Sequence, residues 1–233
     1  MQQKQTAPAA TSNPKPVTPQ LVWAVGDHGA ILHTEDGGGT WRKQTSDTSK
    51  TLLSVVFTTP QSGWAVGYGG TILHTDDGGG TWTQTSTREC LYSAAFATPQ
   101  SGWAVGSIGT MLLTKDGGAT WERRNWAPLA NLKSVAFATP QSGWVVGDDG
   151  IIMHTEDGGG TWETQRSGTS AQLWSVAFAT PQSGWAVGGT EGLDKNRPDT
   201  SIILHTENGG GIWKPQTSGT STKLFSVAFT TPR

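Results

Sequence analysis

One sequence unit recurs five times in this 233-residue chain, and its period and phase constrain the fold more than any other feature. The unit reads Leu-x-Ser-Val-Ala-Phe-x-Thr-Pro-Gln-Ser-Gly-Trp-Ala-Val-Gly, two variable residues, Gly-Thr-Ile-Leu-His-Thr-x-Asp-Gly-Gly-Gly-Thr-Trp, and a polar stretch leading to the next Leu. Its proline falls at 19, 60, 99, 140, 181 and 232, so the intervals are 41, 39, 41, 41 and 51. That period, with several short apolar runs per copy, predicts either a propeller or a solenoid.

The phase separates the two. The pattern begins at Pro19-Gln20-Leu21-Val22-Trp23, midway through a unit, and ends at Phe229-Thr230-Thr231-Pro232-Arg233, just ahead of the next Gly-Trp. A solenoid gains nothing from that offset. A ring can set Leu224 to Phe229 beside Val22 to Gly26 and complete one sheet from both ends, so the expectation is an all-β, five-bladed propeller over residues 19–233. Its closure would come from a C-terminal strand A pairing with N-terminal strands B to D.

Each unit divides into four strands: A as in Leu132 to Phe137, B as in Gly63 to Gly67, C as in Thr71 to Thr75, and D starting at Thr81-Trp82. Runs of this length, β-branched and aromatic and bounded by Gly, Pro and Ser, are strand signals. Four-stranded antiparallel blades around a channel leave only short, protected edges. In such a blade the A–B and C–D turns share one face of the disc, and here they are nearly invariant between copies. The B–C and D–A connections on the other face vary: Asp27-His28, Tyr68-Gly69, Ser107-Ile108, Asp148-Asp149 and Gly189-Thr190, the last followed by an insert, Glu191 to Thr200. Invariance serves the folding of every blade alike, so a binding site is expected where the blades diverge.

Composition agrees with many short strands joined by tight turns, since AVILMFWYC make up only 34% while Gly reaches 32 and Trp 12. The formal net charge is −2 with no run of like charge, which argues against a nucleic-acid surface, and no apolar run approaches transmembrane length. Cys90 is the single cysteine, so no internal disulfide is possible. Residues 1–18, rich in Pro, Thr, Ala and Gln, are expected to be a disordered linker without an apolar signal-peptide core.

Thr-x-Asp-Gly-Gly-x-Thr-Trp occurs at Thr34 to Trp41, Thr75 to Trp82, Thr114 to Trp121 and Thr155 to Trp162, and in altered form at Thr206 to Trp213, where Asn208 and Ile212 intrude. This resembles the Asp-box, or bacterial neuraminidase repeat. With Gly-Trp-Ala-Val-Gly upstream, the whole unit resembles the photosystem II assembly and stability factor type of that repeat, over residues 19–233. The resemblance implies a propeller with an assembly-factor style of role and an extracytoplasmic place, periplasmic or secreted. The photosynthetic members are usually described as seven-bladed, a point of departure for five copies.

Physically the box is a stapled hairpin: the carboxylate accepts bonds from turn amides, Gly supplies positive φ, and the Trp is expected to close over the turn. The same Asp in every blade cannot converge on one substrate, so these carboxylates are structural. His33, His74, His154 and His205 recur in strand C, with Leu113 in the third copy. Ring symmetry holds such positions too far apart to share a metal, so packing within each blade is their expected role and no metal or cofactor is called for. A sialidase needs an arginine cluster, a Tyr nucleophile and an acid/base carboxylate. With only Tyr68 and Tyr92 available and arginine sparse, catalysis is not expected.

The strongest local oddity is the second residue of strand A: Leu53, Tyr92, Lys133, Trp174 and Phe225, set among nearly fixed neighbours. These side chains should ring the channel mouth on the variable face, either as a binding surface or as a plug. The third copy adds Arg123-Arg124-Asn125-Trp126 where others carry Gln-Thr-Ser or similar. Exposed Trp and Arg typify interaction hot spots. Tyr92, Arg123, Arg124, Trp126, Lys133, Trp174 and Phe225 are therefore the candidate binding residues of a non-enzymatic, monomeric scaffold for a protein or peptide partner. A multivalent carbohydrate-binding lectin is the alternative, with a sugar pocket in each blade, and a purely structural or engineered repeat array is the third reading.

Overall fold

The computed structural model describes residues 21–125, 129–191 and 199–229. Alternating strand-forming runs produce five consecutive antiparallel sheets, one per sequence unit. The first holds β1 (Val22–Val25), β2 (Ile31–Thr34) and β3 (Arg42–Gln44); the second β4 (Leu52–Phe57), β5 (Gly63–Gly67), β6 (Thr71–Thr75) and β7 (Thr83–Ser86). The third holds β8 (Leu91–Phe96), β9 (Gly102–Gly106), β10 (Met111–Thr114) and β11 (Glu122–Arg124); the fourth β12 (Leu132–Phe137), β13 (Gly143–Gly147), β14 (Ile152–Thr155) and β15 (Glu163–Gln165). The fifth holds β16 (Gln172–Phe178), β17 (Gly184–Thr190), β18 (Thr200–Thr206) and β19 (Lys214–Pro215).

Within each sheet the strands lie in chain order, and the first strands of successive sheets contact one another from β4 to β8, β12 and β16. Those strands are therefore innermost, and the arrangement is the five-bladed β-propeller that the repeats predict. Strand D starts two residues later than expected, after the box tryptophan. In the fifth blade the insert lengthens β17 and β18 into a hairpin that runs on to Thr190 opposite Thr200.

Aromatic residues join neighbouring blades. The Trp of strand B lies between the His of its own strand C and the Phe of the next blade's strand A: Trp23 stacks on His33 at 4.1 Å and on Phe57 at 4.3 Å. Trp64 does the same with His74 and Phe96, and Trp144 with His154 and Phe178. The box tryptophan was expected to close its own turn; instead it meets this stack edge-on, as Trp82 does against Trp23 and Phe57 at 6.1 Å. Offset and edge-on pairs add to the large area such rings bury. The strand C histidines thus have their packing role.

The closure expected from the sequence is not seen among the described residues. Among the described residues the first sheet has three strands, and Leu224–Phe229 forms no ladder with β1. The segment takes an inner strand's place against the fifth blade, where Leu224 N donates to Gly188 O at 3.1 Å, as Leu52 N does to Gly26 O, and Val227 N donates to Ser175 Oγ at 3.2 Å. The first blade also differs from the others at the first residue of strand B. Gly63, Gly102, Gly143 and Gly184 are overlain by the phenyl ring of their own strand A, so close that a Cβ on Gly63 would stand 2.5 Å from the Phe57 ring. The first blade has Val22 there, and it is 41% exposed.

Candidate functional site

On the inner edge of the variable face, the second residues of three consecutive inner strands form a row. The Lys133 ammonium sits 4.7 Å from the Tyr92 ring centre and 4.6 Å from that of Trp174. Trp174 meets Phe225 at 5.5 Å with planes 66° apart, which extends the row into the C-terminal segment. Tyr92, Lys133, Trp174 and Phe225 are thus brought together from three blades and the segment beyond them. A cation between two aromatic faces is attracted by both ring quadrupoles.

Asp148, in the B–C turn of the fourth blade, completes the arrangement. Its carboxylate lies 3.5 Å from Lys133 Nζ and accepts from Asn131 Nδ2 at 2.7 Å. Asn131 Oδ1 in turn accepts from the Ile108 N–H at 3.3 Å, so the turns of the third and fourth blades are tied together. Lys133 is 11% exposed and ion-paired, which makes it the strut of the row and leaves little charge to offer a partner. Burial, with Cys90, Tyr68 and Asp148 nearby, raises the Tyr92 phenol above its ordinary value and keeps it neutral. What the row presents to solvent is apolar, with Phe225 61% exposed; Ile108, at the tip of the third B–C turn, is 55% exposed.

The arginines are placed differently from the expectation. Arg123 and Arg124 lie on β11, the outermost strand of the third sheet, while Tyr92 lies on the innermost. Arg123 pairs with Glu89 at 2.9 Å and Arg124 with Glu122 at 2.7 Å. Arg124 also lines a cleft of about 500 Å³ between the third and fourth blades with Leu113, Lys115, Gln141 and Asp157, among residues of the Asp-box side. Trp126 lies outside the described residues. The equivalent cleft one blade on, about 510 Å³, is lined by His154, Glu156, Gln165 and Asn208, a contrast in charge that sequence reading by blade did not reveal.

The Asp boxes are closed on themselves. Asp157 Oδ1 accepts from Thr155 Oγ1 at 2.8 Å and Thr161 N at 2.9 Å, and Oδ2 accepts from Thr161 Oγ1 at 2.9 Å. Thr155 Oγ1 accepts from Gly159 N at 2.8 Å. These bonds hold the carboxyls of Asp116 and Asp157 at about 2, Asp116 chiefly through Thr120 and Asp157 through the Thr161 amide. Asn208 reproduces the acceptor with Thr206 and Ile212. Every carboxylate oxygen faces its own turn, so the boxes staple hairpins. Among the described residues no three His, Cys, Asp or Glu side chains gather as a metal shell.

Sheets in radial series, each closed by such a staple, define an Asp-box β-propeller. The profile of the Photosynthesis system II assembly factor YCF48 family matches residues 15–91, 83–166 and 129–227, and the chain belongs to that family. Among solved structures, YCF48 bound to D1 peptide is 21% identical with a TM-score of 0.57, covering 89% of this chain and 86% of that one. An ancestral GH74 enzyme is 14% identical with a TM-score of 0.71, covering 86% of this chain and 30% of that one. A GH74 enzyme from Niastella koreensis, 16% identical with a TM-score of 0.62, is covered over 34% of its length by 80% of this chain. This chain therefore spans about a third of those enzymes, and the likeness is one of fold. No curated protein sequence matches it.

Proposed function

We propose that this chain is a non-enzymatic scaffold of the assembly-factor type, which docks an apolar peptide segment of another protein on its B–C/D–A face. The single observation that carries this reading is the row Tyr92–Lys133–Trp174–Phe225, built where the repeats diverge and ending in an exposed phenyl ring. Family membership and the likeness to YCF48 bound to D1 peptide support a peptide partner. The sequence-based expectation that Arg123, Arg124 and Trp126 also contact the partner remains part of the proposal, although Arg124 lines the cleft on the Asp-box side.

Capture of partners from native lysate tests it. Phe225→Ala with Trp174→Ala should weaken capture by about 2 kcal/mol or more, a hot-spot scale. Gln61→Ala with Gln141→Ala, on the opposite face, should leave it unchanged. Capture that survives the first pair and fails with the second would place the site on the Asp-box side. A carbohydrate reading has one observation in its favour, the clefts of about 500 Å³ repeated between blades on that side. A glycan array separates the two, since binding there that is lost with Gln141→Ala would favour the sugar.

A further inference from the structure

The cleft between the third and fourth blades and its counterpart one blade on are lined by matching positions of the repeat. His154, Glu156 and Gln165 of the fourth blade stand where the third has Leu113, Lys115 and Arg124. The ladders fix the last of these, since Gln165 lies opposite Ile152 and Arg124 opposite Met111. The other blades follow the fourth along strand C, with His33 and Glu35, His74 and Asp76, and His205 and Glu207. Only the third blade brings two cations to these positions, where the fourth has a carboxylate and an amide.

The same exchange strips the cleft of an acceptor. Trp82 and Trp213 donate their indole N–H groups to Gln44 and Gln165 of the blade before. Arg124 takes that glutamine's place ahead of Trp162 and has only donors to offer, so the Trp162 N–H, on a side chain 7% exposed, is left buried without a partner. Trp121 lacks a partner too, but there the place is held by Thr85, which carries no charge. Lys115 makes no ion pair among the described residues, and Arg124 pairs with a Glu122 carboxylate that is 67% exposed and so weakly held. The Asp157 carboxylate in the lining is turned into its own box. Two cations and an orphaned N–H all lack the same thing, an anionic oxygen.

We propose that the cleft between the third and fourth blades binds a uronate, a sugar acid whose carboxylate meets Arg124 and Lys115 and sets one oxygen where Gln165 Oε1 stands in the next blade. The Trp162 N–H donates to that oxygen, and the planar guanidinium matches the carboxylate bidentately. The rest of the lining suits a sugar ring: Leu113 and Pro140 offer apolar surface to its C–H face, Ser101 and Gln141 a hydroxyl and an amide to its hydroxyls, in a cleft of about 500 Å³. A phosphate group would call on main-chain N–H groups. Those of Gly158 and Gly159 already donate to Gln141 O and Thr155 Oγ1, at 2.8 Å each, which denies them equally to an extended peptide crossing the cleft. The proposal narrows the carbohydrate reading of these clefts to one charged site and does not rest on the channel-mouth row.

Isothermal titration of the 233-residue protein with digalacturonic acid and cellobiouronic acid, beside their methyl esters, inorganic phosphate and a tetraglutamate peptide, tests the proposal. One uronate at least should bind saturably, about ten-fold or more tighter than its ester, than phosphate and than the peptide. Arg124→Gln should weaken that binding about ten-fold or more while Tm holds or rises, because glutamine gives Trp162 its acceptor; a merely structural arginine would lower both together. Lys115→Glu, which restores the acidic residue of the other blades, should also weaken it and leave partner capture by the opposite face unchanged, so that the two proposals fail separately. The uronate site is overturned by an absence of saturable uronate binding, by binding that survives both variants, or by tighter binding of phosphate or the peptide. Equal binding of the methyl esters also overturns it and leaves only a neutral carbohydrate reading.

Discussion

The indole N–H of Trp213 donates to Gln165 Oε1 at 3.1 Å across the boundary between the fourth and fifth blades. Trp82 makes the same bond to Gln44 at 3.3 Å across the first boundary. Where strand D carries Arg124 in place of that glutamine, the next box tryptophan, Trp162, has a buried N–H with no partner. A buried donor left unpaired costs about 1–3 kcal/mol.

Arg124→Gln should therefore raise stability by about 1 kcal/mol by giving Trp162 its acceptor, even though it breaks the ion pair with Glu122. Gln165→Ala should lower stability by a similar amount. Urea midpoints of both variants check the pair. A drop in stability for Arg124→Gln would show that the guanidinium holds the cleft together.

The box threonine is buried, and its hydroxyl links the carboxylate to the turn. Thr155→Val removes both bonds at nearly constant volume and should destabilise by about 1–3 kcal/mol, leaving partner capture unchanged at temperatures where the protein stays folded. Loss of capture without loss of stability would mark the box as a site.

Acid should act through the same staples. The carboxyls of Asp36, Asp77, Asp116 and Asp157 are all held below the ordinary 3.8 by bonds from box threonines and their amides. A depressed folded value means that the unfolded chain takes up the proton first. The stability these groups contribute is thus complete above about pH 4 and falls away toward pH 2. Melting temperature followed from pH 6 to pH 2 should show that loss, and Asp157→Asn should make it shallower, because an amide, like that of Asn208, does not titrate there.

Ile108 adopts φ +52° at the tip of the third B–C turn, a conformation that a β-branched side chain enters at a cost. Its counterparts are His28, Gly69 and Asp149. Ile108→Gly should stabilise by about 1 kcal/mol and weaken partner capture, since the exposed side chain belongs to a B–C turn on the proposed docking face. Stabilisation with capture unchanged would detach Ile108 from the docking face.

The fold was legible because each unit carries its own strands and turns in residues local to it, and five copies repeat the same message. The channel row was legible for a related reason: fixed neighbours on an inner strand put Tyr92, Lys133, Trp174 and Phe225 at one height. What escaped the sequence lies between units. The box tryptophans look like covers for their own turns until the neighbouring blade supplies Trp23 or Phe57 as their true contact. Arg123 and Arg124 follow the box closely in sequence, but that stretch is the outer strand, three strands away from the channel. The place of the C-terminal segment is likewise set between units, by the bonds of Leu224 and Val227 to Gly188 and Ser175 of the fifth blade.

Each Trp–His–Phe stack ties one blade to the next and to no other. Cohesion of this kind adds up along the chain like links, each contributed by a single sequence unit together with the one that follows it. Copying a unit inserts one link and disturbs none of the rest; losing one removes a link and rejoins the ends. Blade number is thus the quantity that recombination between near-identical stretches of a gene can change in a single event, while the open loops remain for slower change to adjust.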